Sequence, residues 1–224
     1  MGVCVTSLLP NRTQPRYPTS MCNEAYRRTQ IGQLRDDWHE LRIPLRFPEG
    51  IPNFAPLEGF KITDRVEIIR PAADTVGEAE MVTRRWSWPG PGGKPVYNFR
   101  SDGRQIAHAS RCLIPVDGFF EFTDPPAPPP GEKKPKRAPK SKWAFSLRDQ
   151  PWFCIAGIWR SDPQVGEAWS MLTCPPGPDV APYHHRQVVV LPLDRCARWL
   201  DPAFPAAELC QPLPAGSLEV RQVR

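Results

Sequence analysis

Apolar and polar positions along this chain alternate with a short period over most of its length. Residues 65–70 (RVEIIR), 80–88 (EMVTRRWSW), 112–116 (CLIPV), 118–122 (GFFEF), 143–147 (WAFSL), 152–159 (WFCIAGIW), 170–173 (SMLT) and 187–191 (QVVVL) are β-branched or aromatic runs. Pro, Gly or charged turns bound them, the pattern of short strands. A helical period surfaces in two places only. Ile31, Leu34, Trp38 and Leu41 predict an amphipathic helix within residues 25–41, closed by Pro44 and Pro48, and residues 195–200 predict one short late helix. Many short strands with few helical periods predict an α+β, β-rich single domain: an antiparallel barrel-like sheet with a few flanking helices. No repeat period is visible.

Two stretches break the pattern. Residues 1–20 are polar and turn-rich, read as a disordered leader or a start assigned too early, so that the domain runs from 21 to 224. Residues 124–142 carry seven prolines and a run of lysines between two strand signals. Such a segment cannot bury enough apolar area to offset its ordering entropy. It reads as a solvated hairpin excursion, with a nucleic-acid-contacting arm as the alternative.

Composition adds limits. Proline supplies 30 of 224 residues, which excludes a helical bundle because proline breaks helix interiors. The formal net charge is +5, and residues 131–142 alone, with six basic residues and one acidic, account for all of it. The charge balance therefore says nothing about a nucleic-acid cleft elsewhere. No apolar run reaches the ~20 residues needed to cross a bilayer, and the first residues lack the form of a secretory signal. Seven irregularly spaced cysteines without a C-x-x-C pair, and four histidines without zinc spacing, predict no disulfide framework, no metal and no cofactor. A reducing cytoplasm and a monomer are expected.

Several residues could carry chemistry. Glu121 interrupts an aromatic strand. The strand pattern alone reads it as an edge carboxylate facing solvent; buried, it would have a raised pKa suited to proton transfer. His184 and His185 precede an apolar run and point to opposite faces, so at most one enters a given cleft. Asn98 and Arg100 share a face and could contact a phosphate or base, or simply pair with Asp102. Cys112, Cys154 and Cys174 read as buried inert thiols. Cys22 differs: a chain starting at Met21 and losing that methionine exposes a 1,2-aminothiol. Its amine titrates near ~7.7–8.0 and its thiol near ~8.5, and together they capture an aldehyde as a Schiff base and then a thiazolidine.

In order, MCN (21–23), NFAP (53–56), TRRWSW (83–88), YNFRSD (97–102), RCLIPVDGFFEF (111–122), AGIW (156–159), MLT (171–173) and HHRQVVVL (184–191) resemble the SOS response-associated peptidase (SRAP), or abasic-site processing, family. The resemblance covers roughly residues 21–201. It implies a β-rich α+β fold and a DNA-damage protein that binds abasic sites in single-stranded DNA. Its Cys22 would be the crosslinking nucleophile, Glu121 the proton shuttle, and His184 the acid favouring the open aldehyde. Asn98 and Arg100 would position the cysteine end and the DNA backbone, and Trp86 would stack on a flanking base. His185 stands where an acidic residue is usual, and Gln187-Val188 where Met-Pro is usual. The residues before Met21 leave Cys22 without a free amine unless translation starts at Met21 or the chain cuts itself there. Two other functions fit the same residues: a thiol peptidase acting on other proteins, or a non-covalent single-strand or modified-base binder.

Overall fold

Residues 112–116 are apolar at every position because the strand they form is covered on both faces. The computed structural model describes residues 22–125 and 139–224; the expected leader and most of the Pro/Lys-rich excursion lie outside them. The chain runs through β1 (Glu24–Arg27), α1 (Ile31–His39), β2 (Leu45–Arg46), β3 (Leu57–Lys61), β4 (Arg65–Pro71), β5 (Ala79–Trp86) and β6 (Trp88–Pro89). It continues with β7 (Pro95–Val96), β8 (Asn98–Arg100), β9 (Arg111–Val116), β10 (Gly118–Thr123), β11 (Ser141–Leu147), β12 (Phe153–Asp162) and β13 (Gly166–Cys174). The last elements are β14 (Gln187–Val188), β15 (Val190–Leu191), α2 (Leu193–Leu200), α3 (Ala206–Leu209) and β16 (Leu218–Gln222).

Strands β13, β12, β9, β4 and β5 pair in that order, and a parallel seam between β5 and β13 closes them into a five-stranded barrel. Inside it sit Val66, Ile68, Cys112, Ile114, Ile155, Trp169 and Met171; their strand neighbours Ile69, Leu113, Cys154, Ala156 and Leu172 point outward under α1, α2 and α3. Alternation thus survives, but both faces are apolar. A second sheet, β16-β11-β10-β1-β3, lays Ala25, Phe60, Phe119 and Phe145 on the barrel core. The fold is β-rich and mainly antiparallel with few helices, as the pattern predicts.

The first helix starts later than its spacing predicts. Residues 24–27 form β1, paired with β10 and β3, and helix begins only at Ile31. Asp117, in the turn between β9 and β10, accepts the main-chain N–H groups of Arg28 and Thr29 at 2.9 and 3.1 Å, which holds β1 in place. Gly118 follows because a Cβ there would strike Phe145 O and the Tyr26 ring. Among the described residues no helix is long and apolar enough to cross a membrane.

Candidate functional site

β1 carries Cys22 at its entrance, so the pairing that fixes β1 also fixes the cysteine. Cys22 is buried and held by polar contacts. Its carbonyl accepts Asn98 Nδ2 at 2.8 Å, its thiol lies 3.6 Å from Glu24 O, and its main-chain N–H donates to the Glu121 carboxylate. Glu121, on β10, faces inward and is only 1% exposed. The solvent-facing edge carboxylate of the strand pattern is therefore overturned: β1 and β11 flank β10 on either side, so it is no edge.

That enclosure sets the electrostatics. Burial pushes the Glu121 carboxyl well above the usual carboxylate range, against a smaller opposing effect of the Cys22 N–H. Burial also pushes the Cys22 thiol well up, and Glu121 adds to this in its ionised form. Glu121 Oε1 and Asn98 Oδ1 are buried and without a hydrogen-bond partner among the described residues. Two unsatisfied acceptors beside one cysteine leave its polar surroundings incomplete, and such groups are rare in folded proteins.

Asn98 comes from β8, which runs parallel to β13 with Asn98 opposite Met171 and Arg100 opposite Thr173. Arg100 is exposed at the rim. Burial first, then the neighbouring His184, Arg100 and Arg186, hold His185 below the usual imidazole value, so Arg100 and His185 share that rim. His184 is fully buried; its Nδ1 lies 2.9 Å from Arg186 O and 3.1 Å from Arg186 N. Arg186 in turn binds Asp102 at 2.5 Å and Thr173 O at 2.8 Å. Tyr183, the residue before His184, packs its ring on Trp143, the cross-strand partner of Glu121.

Trp86 does not belong to a surface. It is 0% exposed, stacks on its register partner Trp169 at 5.1 Å and 8°, and donates its indole N–H to Tyr97 O at 2.9 Å. It closes the barrel seam and offers no face to a base, so its assignment as a stacking residue is corrected. Tyr97 is a residue that sequence reasoning missed. Burial, then the charges of Cys22 and Glu121, raise its phenol, which places it beside both. Its position directly before Asn98 was the available signal, but an aromatic at a strand start reads as core. Among the described residues no group of three or more His, Cys, Asp or Glu side chains could hold a metal ion.

The arrangement is a buried, protonatable carboxyl hydrogen-bonded to the main-chain nitrogen of a cysteine. It can move a proton at that nitrogen or at the neighbouring sulfur. A family model described as SOS response associated peptidase (SRAP) matches residues 98–224, which include Asn98, Arg100, Glu121 and His184. Three solved structures share the fold. A protein from Bacteroides thetaiotaomicron has a TM-score of 0.63 at 17% identity, covering 91% of this chain and 92% of its own. A phage-related protein from Bordetella bronchiseptica has 0.64 at 19%, covering 91% and 94%. A second Bordetella bronchiseptica protein has 0.59 at 22%, covering 91% and 100%. No curated protein matches the chain.

Proposed function

Because the chain belongs to the SOS response-associated peptidase family, with its DNA-damage-associated role at abasic sites, we propose that it crosslinks itself to abasic single-stranded DNA through Cys22. The observation that carries this reading is the Cys22 main-chain N–H on the buried Glu121 carboxylate. In a chain whose first residue is Cys22, that nitrogen is an α-amine. With residues before Cys22 attached it is an amide and forms no imine. The reactive species therefore begins at Cys22, through initiation at Met21 and loss of that methionine, or through hydrolysis of the Met21–Cys22 bond.

The steps follow from the side chains present. The neutral amine attacks the aldehyde carbon of the ring-opened sugar, forming a C–N bond and a carbinolamine. Glu121, protonated because it is buried, donates its proton to the carbinolamine hydroxyl, which leaves as water and gives an iminium. The Glu121 carboxylate then takes the thiol proton as Cys22 Sγ attacks the same carbon. The C–S bond closes a thiazolidine, and Glu121 ends protonated as it began. Asn98 holds the Cys22 carbonyl and so fixes the amine's direction. His184 protonates the sugar ring oxygen, and Arg100 at the rim takes a backbone phosphate.

The raised thiol weighs against a peptidase acting on other proteins, which needs a depressed thiol pKa; burial and Glu121 push Cys22 the other way. The test is incubation with an abasic oligonucleotide followed by a denaturing gel. A slow-migrating adduct lost on Cys22→Ala supports the reading, and an adduct that survives Cys22→Ala refutes it.

A further inference from the structure

Two half-buried aromatic side chains stand next to Glu121 and His184 and have no part in the steps above. Trp143 is the cross-strand partner of Glu121, so both project from the same face of the sheet. Its indole N–H donates to Thr123 Oγ1 at 2.9 Å, which fixes the rotation of the ring. Tyr183, the residue before His184, places its ring 4.6 Å from Trp143 at 55° and 5.4 Å from Phe145 at 85°. Its main-chain N–H is anchored on Val180 O at 2.8 Å. The pair bridges β11, which pairs with the strand carrying Glu121, and the loop carrying His184.

Tryptophans that only fill the core are enclosed, as Trp38, Trp86, Trp152, Trp169 and Trp199 are in this protein. Trp143 and Tyr183 instead keep part of their surface open. A nucleotide that has lost its base leaves the neighbouring base without a stacking partner, and an aromatic face replaces it with no hydrogen-bond readout and a modest preference set by stacking strength. We propose that Trp143 and Tyr183 form a stacking platform for the nucleobase beside the abasic position, so that the chain favours sites with a purine neighbour. The proposal rests on the abasic-site reading above. It assigns to these two residues the stacking task that the buried Trp86 cannot perform.

The experiment uses the full chain carrying Cys22→Ala and a labelled single strand containing a tetrahydrofuran abasic analogue, whose ring does not open. Affinity is measured by anisotropy at fixed salt with adenine or thymine as the neighbours. The adenine-flanked strand binds tighter. Trp143→Ala weakens binding about 5- to 160-fold, the worth of one base stacked on an aromatic ring, and erases the adenine preference. Trp143→Phe retains most of the affinity and the preference. Tyr183→Ala, in a loop, gives the same loss should Trp143→Ala fail to fold. Unchanged affinity and unchanged preference in folded Trp143→Ala and Tyr183→Ala would overturn the platform. Because the analogue forms no crosslink, this result is independent of adduct formation by the parent chain. An adduct with no effect in these variants contradicts the platform alone, and a lost preference without an adduct contradicts the covalent reading alone.

Discussion

Replacing Glu121 with glutamine should make the protein more stable at neutral pH while removing its chemistry. Glu121 is 1% exposed, and Oε1 meets no donor among the described residues. An unfolded glutamate titrates near ~4.3, whereas burial raises the folded carboxyl well above that. A raised folded pKa contributes stability that is fully present below the unfolded value. That contribution is lost as pH rises from there to the folded value, because the unfolded chain sheds its proton first. Each pH unit in that window costs the parent about 1.4 kcal/mol relative to a neutral isostere. For a chain of this size that corresponds to about 3–6 °C in Tm per pH unit. Urea denaturation of parent and Glu121→Gln from pH 4 to pH 9 isolates the effect, since other titrating groups cancel in the difference. The advantage of glutamine should be smallest near pH 4, grow with pH and then level off. A difference that stays flat, or glutamine falling progressively behind as pH rises, would refute the argument that burial without compensation controls this carboxyl.

Other substitutions probe the remaining parts. Asn98→Ala removes the donor on Cys22 O and leaves a buried carbonyl unsatisfied, costing about 1–3 kcal/mol; single-turnover assays should show slower adduct formation. Trp86→Ala opens a cavity at the barrel seam and should cost about 3–5 kcal/mol in denaturant unfolding. Trp86→Phe should retain single-strand affinity, because Trp86 meets no DNA. Arg100→Ala should lower affinity for every single-stranded sequence alike and reduce the slope of log affinity against log salt by about 1; an unchanged slope would remove Arg100 from phosphate contact.

Much of this molecule can be read from alternation, and the failures have physical causes. Runs such as 65–70, 112–116 and 143–147 announce strands because β-branched and aromatic residues lie between clear turns. β1 escapes notice because two of its four residues, Glu24 and Arg27, are charged yet buried. Lys142 at 2.8 Å and Glu67 at 2.8 Å compensate them, and neither partner is near in sequence. β16 (Leu218–Gln222) is a largely exposed strand whose pairing with β11 decides its conformation. Glu121 shows the same limit at the site. Alternation places it on a face but cannot say that β1 pairs the far edge of its strand or that the barrel core covers that face. The arginines beside Trp86 suggest a surface strand, while the parallel seam with Trp169 puts the ring in the core. Cys22, Glu121 and Asn98 were identifiable as chemistry-bearing residue types in an ordered set of motifs. Their contact depends on pairings between segments 76 and roughly a hundred residues apart.

The central claim is tested most directly by intact mass. Protein whose first residue is Cys22 is incubated, without reductant, with single-stranded DNA bearing one abasic site. The account predicts a stable species whose mass is the sum of protein and DNA minus one water, with the Cys22 thiol no longer open to alkylation. An adduct that appears only after borohydride reduction, or one whose Cys22 thiol is still alkylated, would contradict it.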